Sequence, residues 1–292
     1  MSILVSICCQ AYNQKDFIEQ CLNGFESQIT SFDFEILVHD DASTDGTADI
    51  LKKFEKVNPS LYRNTYQKTN QFRKLNSLTD ILVKNARGKY IAFCEGDDYW
   101  TDPYKLQKQV DLLESNPDCV GCVAQFQDYF MDLEKFVTSV NTHKKSKLSF
   151  PQIVNSYFHT STFLLKREEL VYIISNYSAL ITGDTSYRLL LSERGPFCVL
   201  DDVVSVYRRS GDGFWTSLSQ VERDKTHYRL FHDFRIKHIK SRRYYYLNRE
   251  IDYLQKIVKV EKTMNNRLKL IYLFSYRKLL KLKSTISKML SR

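Results

Sequence analysis

Short apolar runs alternate with amphipathic segments through about the first 130 residues, and this alternation constrains the fold more than any other feature. The runs at 3–9, 34–38 and 90–94 have the length and composition of buried strands. The segments between them carry apolar residues at the spacing of one helix face. A repeating strand–helix order with short connections predicts an α/β fold whose mostly parallel sheet binds ligands at its strand ends.

The composition fits a large globular chain. Of its 292 residues, 43% are hydrophobic and 26% charged, which provides for a buried core and excludes a wholly disordered chain. The seven cysteines are an odd number, and no basic signal-like region precedes the first strand, so we expect reduced thiols and a cytoplasmic protein. Cys119 and Cys122 have metal-pair spacing without a second pair, which we interpret as coincidence.

Charge is distributed unevenly along the chain. The formal net charge is +9, but residues 221–292 hold 20 Lys and Arg against 6 Asp and Glu. Residues 1–220 are mildly acidic. No Gly or Pro follows Gly213, which predicts a long uninterrupted helical stretch. We therefore predict a body at 1–220 and a basic helical C-terminal extension at 221–292.

Acidic residues directly follow two of the predicted strands. Asp40-Asp41 follows the second run, and Glu95-Gly96-Asp97-Asp98 follows the third. Because parallel strands end at one edge of a sheet, both clusters should face the same crevice. Grouped carboxylates repel each other unless a cation joins them, and oxygen ligands favour Mg²⁺ or Mn²⁺, a common clamp for a diphosphate. The alternative is that these acids only cap helices and solvate loops.

Glycine-rich phosphate loops are absent from the sequence. Neither Gly-x-Gly-x-x-Gly nor Gly-x-x-x-x-Gly-Lys-Ser/Thr occurs, which argues against a dinucleotide oxidoreductase and a P-loop ATPase. A nucleotidyltransferase would need a basic, glycine-rich loop near the first strand, and residues 6–13 have neither property.

Several motifs follow one another in a characteristic order. The first motifs are Val5-Ser6-Ile7 and Tyr12-Asn13, followed by Val38 to Thr47 around Asp40-Asp41. The next is Ala86 to Trp100 around Glu95-Gly96-Asp97-Asp98. The last are Gly183-Asp184 and Leu200 to Arg209. This ordered set resembles the inverting family-2 glycosyltransferases, which have the GT-A fold. The stretch 101–110 is similar to a bacterial cell-surface polysaccharide branch of that family. The resemblance covers roughly residues 1–217.

The resemblance implies roles for the residues at the strand ends. Tyr12 and Asn13 would bind the nucleotide, with the Tyr12 ring stacked on the base. Asp41 would accept the imide N–H of the base, which favours uracil or thymine. Glu95 would reach the ribose or a water, and Asp97, with Asp98 beside it, would hold Mg²⁺ or Mn²⁺.

The resemblance also implies catalytic and phosphate-binding residues nearer the C-terminus. Asp184 would be the base that takes the proton of the acceptor hydroxyl, although its position alone favours a helix N-cap, and both roles can coexist. Arg208 would donate to the leaving phosphates, or with Arg209 would form a solvated strand end. The related pattern often places a His soon after these residues, where this chain has Ser210.

The function that follows from the resemblance is a metal-dependent inverting hexosyltransferase. It would use a nucleotide-diphospho-sugar, with a UDP-sugar favoured, and a glycan or polyprenyl-linked acceptor in surface polysaccharide biosynthesis. The alternative is a non-catalytic nucleotide-sugar-binding or scaffold protein of a membrane-surface assembly. Trp100 and Trp215 would line the sugar or belong to the core, and we favour the core for both.

The sequence of the basic tail is compatible with more than one binding partner. Residues 267–292 carry an apolar stripe among lysines and arginines, which suits an anionic membrane surface at the inner face of the cell membrane. Docking on the body or on another copy, as in a homo-oligomer, is weighed equally. Tyr244-Tyr245-Tyr246 beside two arginines is compatible with nucleic acid, but the acidic body argues against such a partner.

Overall fold

The computed structural model describes residues 3–71, 78–139, 146–177, 183–210, 215, 217–238 and 242–290. Within these ranges, the side chains of residues 78, 139, 183, 184, 237, 238 and 283–290 lie outside the description. The chain divides into two compact units, Met1–Ser210 and Gly211–Arg292, and each is described by itself.

The first unit is built on one ten-stranded sheet. Its strands are β1 (Val5–Ala11), β2 (Phe34–Asp40), β3 (Thr65–Tyr66), β4 (Tyr90–Glu95), β5 (Tyr99–Trp100), β6 (Gly121–Phe130), β7 (Lys135–Ser139), β8 (Lys147–Leu148), β9 (Leu164–Lys166) and β10 (Phe197–Arg209). The order is β3-β2-β1-β4-β9-β6-β10-β5, with β7 on β6 and β8 on β10.

Among the described residues of the first unit, seven helices accompany the sheet. They are α1 (Ile18–Glu26), α2 (Thr47–Val57), α3 (Leu78–Asn85), α4 (Lys105–Glu114), α5 (Phe150–Val154), α6 (Arg167–Asn176) and α7 (Gly183–Ser192). A 3-10 turn at Thr160–Thr162 precedes β9. The helical spacing of apolar residues between the predicted strands is confirmed by α1 and α2. Ile18, Cys21, Leu22 and Phe25 of α1 are buried, and so is Leu51 of α2.

The half of the sheet around β1 is parallel, as the strand–helix alternation predicts. Strand β1 pairs in parallel with β2 on one side and with β4 on the other. Ala11 lies opposite Asp40, and Gln10 lies opposite Glu95. The three strands therefore end at one edge, and the loops that follow them carry both acidic clusters.

The other half of the sheet is mixed. Strand β9 is antiparallel to both β4 and β6 and joins the parallel half to the β6–β10 pair. Strand β5 is antiparallel to β10. The three residues of β9 follow a 3-10 turn instead of a crossover helix, so they can enter the sheet in the opposite direction.

Trp100 belongs to the core of this unit. Its side chain is 4% exposed, and its ring meets the edge of Phe25 at a centroid distance of 4.8 Å. The indole N–H donates to the carbonyl of Ser161 at 3.0 Å. The core interpretation of Trp100 is therefore confirmed.

A fully buried carboxylate, Glu35, joins three parts of the parallel half. It accepts hydrogen bonds from the Ser6 hydroxyl at 2.7 Å and from the Arg87 backbone N–H at 2.8 Å. The Arg63 and Arg87 guanidinium groups also donate to it. Burial alone would raise the pKa of Glu35, but these hydrogen bonds outweigh burial and lower it.

The second unit is helical. It contains α8 (Gln220–Asp233), a π-helical segment at Phe234–His238, α9 (Arg243–Val260) and α10 (Met264–Leu290). The predicted uninterrupted helix is wrong, because α9 ends three residues before α10 begins. The break lets Leu273 of α10 pack with Leu247, Ile251 and Leu254 of α9 in one apolar cluster. Among the helices of the described residues, none has both the length and the apolar content needed to span a bilayer.

Replacing Glu35 with Ala should lower the free energy of unfolding at neutral pH by about 2–4 kcal/mol, because two arginines and a buried hydroxyl lose their common acceptor. The difference from wild type should shrink as the pH falls through the lowered folded-state pKa of Glu35. Urea unfolding measures both effects. As a control, Asp49→Ala removes an exposed carboxylate paired with Lys52 and should cost less than about 1 kcal/mol. Equal losses in the two variants would contradict the prediction.

Candidate active site

Two loops hydrogen-bond to the end of β1 and form the edge of the candidate site. The carbonyl of Ala11 accepts from the backbone N–H of Asp41 at 2.9 Å. The carbonyl of Gln10 accepts from the backbone N–H of Gly96, also at 2.9 Å. The acidic clusters after β2 and β4 therefore flank the same strand end.

The loops after β1 and β2 hold each other in place. The side-chain oxygen of Asn13 accepts from the backbone N–H of Thr44 at 2.8 Å, and the backbone N–H of Asn13 donates to the Ser43 hydroxyl at 2.9 Å. Asn13 has a φ of 51°, a left-handed conformation that asparagine tolerates better than most residues. The neighbouring Tyr12 is 48% exposed and is accessible to a flat ligand.

Asp41 lies deeper than Tyr12 and is only 2% exposed. One of its carboxylate oxygens accepts from the backbone N–H of Gln71 at 2.7 Å. Its neighbour Asp40 is equally buried and receives the Ser43 backbone N–H at 3.3 Å. The carboxylate of Asp41, the predicted base-contacting acid, is thus held by the backbone of Gln71.

The turn after β4 places three acids within four residues. The backbone N–H of Asp98 donates to the carbonyl of Glu95 at 3.1 Å and closes the turn. A side chain at Gly96 would contact the ends of the Gln14 and Ile18 side chains. Both side chains would have to shift to make room for it.

The end of β10 anchors this acidic turn. The backbone N–H of Arg208 donates to a carboxylate oxygen of Asp98 at 2.8 Å. The Arg208 guanidinium donates to the carbonyl of Asp97 and to the side-chain oxygen of Gln20. The two contacts with Asp97 and Asp98 span 111 and 110 residues of sequence and hold the backbone of the acidic turn.

Neither Arg208 nor Arg209 is a solvated strand end, so that alternative is wrong. Arg208 is 7% exposed, and its guanidinium lies 4.4 Å from the centroid of the Tyr99 ring. Arg209 forms an ion pair with Asp128 at 2.7 Å. Whether Arg208 also meets a phosphate stays a prediction.

Burial disfavours the charged forms of the two aspartates in the acidic turn. Burial raises the pKa of Asp97, and the nearby Arg208 only partly opposes this effect. Burial raises the pKa of Asp98 well above its ordinary value, and the charges of Asp97 and Glu95 raise it further.

His159 joins this turn from the middle of the chain, next to the 3-10 turn. Its Nε2 lies 3.6 Å from a carboxylate oxygen of Asp98, and its Nδ1 is 2.8 Å from the Ser161 hydroxyl. The ring stacks on Tyr207 at a centroid distance of 4.0 Å. Burial, with the charge of Arg209, lowers the pKa of His159 to about 3, so the imidazole is neutral.

Glu95, Asp98 and His159 together have the donor set of a cation site. Each offers one potential ligand atom, and these atoms lie within 4.8 Å of one another. The sequence does not identify His159 as a candidate ligand, because it is 61 positions from Asp98 and has no ligand spacing. The only signal was Ser210, in a place where the related pattern often has a histidine. Asp97 is not a member of this group, and its role as chief ligand stays a prediction.

Two further predicted residues, Asp184 and Trp215, have no described side-chain contact with the acidic turn. Asp184 is the second residue of α7, and its side chain lies outside the described part of the structure. Trp215 belongs to the second unit, where its ring meets the edge of His227 at 5.2 Å. The roles proposed for both stay predictions.

A buried network from α4 supports the turn that carries His159. The side-chain N–H of Gln109 donates to the carbonyl of Thr162 at 2.8 Å. The Lys105 ammonium is fully buried, donates to the Gln109 side-chain oxygen at 2.8 Å and lies 4.1 Å from the Trp100 ring centroid. Because the Trp100 indole N–H also donates to the Ser161 carbonyl, α4 and β5 hold this turn at two adjacent residues.

The fold of the first unit, with its acidic turn at the sheet edge, is that of GT-A transferases. The chain superposes on S. aureus TarS in complex with UDP-GlcNAc with a TM-score of 0.59, at 16% identity over 87% of this chain and 82% of that one. A mannosyltransferase of Pyrobaculum calidifontis, in complex with GDP-Man and Mn²⁺, matches 99% of this chain and 84% of its own, with a TM-score of 0.58 and 16% identity.

Residues 6–172 match the family model of glycosyl transferase family 2, and the chain belongs to this family. An uncharacterised Mycobacterium tuberculosis protein is 33% identical over 215 residues, 73% of this chain and 61% of that protein. The Bacillus subtilis putative teichuronic acid biosynthesis glycosyltransferase TuaG is 28% identical over 57% of this chain and 63% of its own length. The chain thus spans about three fifths of these relatives.

The buried Lys105 should make stability depend on pH in a predictable direction. Burial lowers its pKa to about 7, and the nearby Asp102 carboxylate does not compensate. Between about pH 7 and 10 the unfolded chain binds a proton that the folded chain does not. The free energy of unfolding should therefore rise with pH, by up to about 1.4 kcal/mol per pH unit, relative to a Lys105→Met variant.

Chemical denaturation of both proteins at several pH values measures this difference. Lys108→Met, on the same helix, is the matched control, because the carboxylates of Asp102 and Asp202 raise the pKa of Lys108. Its charge is then constant over the same range, so its curve should run parallel to wild type. A parallel curve for Lys105→Met would contradict a depressed pKa.

Proposed function

We propose that the chain is an inverting glycosyltransferase that transfers a sugar from a nucleoside-diphospho-sugar, a UDP-sugar being favoured, to an acceptor hydroxyl. The observation that carries this proposal is the convergence of Tyr12, Asp41 and the acidic turn 95–98 at the end of β1. One edge thus offers a ring for a base, a carboxylate for its N–H, and acids suited to a cation on a diphosphate. Family membership supports the transfer chemistry.

The nucleoside is proposed to bind between the loops after β1 and β2. The half-exposed Tyr12 ring provides a stacking surface, and Asn13 fixes the loop beside it through Thr44. Asp41, held by the Gln71 backbone, accepts the N–H of a uracil ring. Cytosine lacks that N–H and would bring a ring acceptor against the carboxylate, which is unfavourable.

The acidic turn fits a divalent cation. Two carboxylates and a neutral imidazole lie within 4.8 Å of one another, and the engagement of His159 Nδ1 by Ser161 leaves Nε2 facing Asp98. This mixed donor set suits Mn²⁺ and is compatible with Mg²⁺ through its oxygens. We propose that Asp97 and Asp98, with Glu95 and His159 beside them, hold the ion. When bound, the ion would neutralise charge on the departing diphosphate.

The remaining residues orient the reactants and move one proton. Asp184 is proposed as the base that removes the acceptor hydroxyl proton while that oxygen attacks the anomeric carbon. The bond to the diphosphate breaks on the opposite face, which inverts the anomeric configuration. Arg208 positions the acidic turn through Asp97 and Asp98, and we propose that its charge also favours the leaving diphosphate.

The acceptor is proposed to be a glycan or a lipid-linked sugar of a surface polysaccharide. TuaG is named for teichuronic acid biosynthesis. The E. coli protein WfaP, 32% identical over 47% of this chain and 50% of its own, is named a UDP-Glc:alpha-D-GlcNAc-diphosphoundecaprenol beta-1,3-glucosyltransferase. These names support the acceptor class.

Asp184→Asn should bind the donor as well as wild type does but lower the rate of transfer by roughly 10²–10⁴-fold, because an amide cannot accept the hydroxyl proton. Calorimetry of UDP binding and the turnover of a UDP-sugar panel with a polyprenyl-diphosphate-linked acceptor sugar separate binding from chemistry. Asp49→Asn, on the exposed face of α2, should leave both unchanged. Wild-type turnover in Asp184→Asn would exclude the proposed base.

Asp97→Asn should weaken Mn²⁺-dependent UDP binding by about tenfold or more, because one carboxylate beside the ion is lost. Titration of UDP with and without Mn²⁺ measures the change, and the Asp49→Asn protein again serves as control. If UDP binds equally well to Asp97→Asn, the proposed metal role of Asp97 is wrong. Donor binding by wild type without any turnover would instead favour a nucleotide-sugar-binding scaffold.

A further inference from the structure

Helix α10 has two apolar rows, and its own unit covers only one of them. The inner row contains Leu273, 3% exposed, and the partly buried Leu270, Phe274 and Leu280, which pack in the cluster with α9. The outer row is 48–71% exposed. It consists of Met264, Leu268, Ile271, Tyr272, Leu279 and Leu282.

The two rows lie on opposite sides of the helix. At 100° per residue, the outer row clusters around a direction about 180° from Leu273 and Leu270. Packing of α10 against α9 therefore cannot cover the outer row. The described part of this row extends over 19 residues from Met264 to Leu282, about 27 Å of helix.

The charges around the outer row have a single sign. Residues 264–292 contain eight Lys and Arg and no Asp or Glu. Arg267 and Lys278 lie along one side of the row and Lys269 along the other, and all three are exposed. The surface that covers this row must be apolar in the middle and able to accept positive charge at both sides.

We propose that the outer row of α10 binds the surface of an anionic phospholipid bilayer, with the helix lying in the plane of that surface. Apolar side chains enter the interface, and the flanking cations contact acidic headgroups. The helix is too polar to cross the bilayer. A second copy fits less well, because antiparallel or parallel pairing of two outer rows would bring only cations together.

This proposal is independent of the proposed transfer chemistry, because it concerns the second unit alone. It also explains why a helix with one buried row keeps six further large apolar side chains in water. Exposed apolar residues scattered singly need no explanation, but a continuous row bounded by cations indicates an interaction surface.

Co-sedimentation of the full chain with vesicles tests the proposal. One set contains phosphatidylglycerol mixed with phosphatidylcholine, and the other contains phosphatidylcholine alone. Wild type should bind the anionic vesicles and bind the neutral ones much less, and added salt should weaken the binding. No binding to anionic vesicles, or equal binding to both sets, would overturn the proposal.

The triple variant Leu268→Gln, Ile271→Gln and Leu279→Gln should bind the anionic vesicles at least about tenfold more weakly, because three side chains lose their apolar contact with lipid. None of the three belongs to the inner row, so thermal unfolding should match wild type. The control variant Val57→Gln, Ile29→Gln and Leu133→Gln removes three equally exposed apolar side chains of the first unit. Its vesicle binding should be unchanged.

A charge variant, Arg267→Gln, Lys269→Gln and Lys278→Gln, should lose the preference for anionic over neutral vesicles. Undiminished anionic binding by either α10 variant would contradict the proposed surface. Light scattering of wild type distinguishes the other occupant. A dimer that dissociates in the outer-row variant would assign the row to a second copy and overturn the lipid proposal.

Discussion

The acidic turn at 95–98 is anchored by hydrogen bonds from β10. Three carboxylates stand within four residues and are largely withdrawn from water, an arrangement that their repulsion and desolvation both oppose. Arg208 offsets part of this cost, because its backbone N–H donates to the Asp98 carboxylate and its guanidinium donates to the Asp97 carbonyl. The geometry of the candidate site therefore depends on Arg208, a cation that the last strand of the sheet positions.

Much of this edge could be predicted from the sequence, because local patterns determine it. The apolar runs gave β1, β2 and β4 to within a few residues, and the acids directly after them had to fall at the shared carboxyl edge. Helices α1 and α2 followed from apolar residues at helical spacing. In each case the information lies within one short window of sequence.

Other features depend on contacts that no local pattern encodes. Strand β9 is only three residues long and reverses the sheet direction, and His159 reaches Asp98 only because that strand lies beside β4. The residues next to Arg208 in the sequence are equally compatible with a solvated strand end, so they do not reveal its contacts with the acidic turn. The prediction of one uninterrupted helix in the tail was wrong for a related reason. The absence of Gly and Pro permits a helix, but it does not show where the chain must turn so that the apolar rows of α9 and α10 can pack together.

The placement of β10 has a consequence for biosynthesis. Residues 197–209 insert between β6 and β5, and their contacts with the acidic turn join positions 110 apart. During translation the first four strands can emerge and pair well before β10 leaves the ribosome, whereas the turn receives its arginine only afterwards. A nascent chain that ends before β10 would thus have most of the sheet but no Arg208 beside the acidic turn. The site would become able to bind its ligand only when β10 joins the sheet, although the nucleotide-facing loops form earlier.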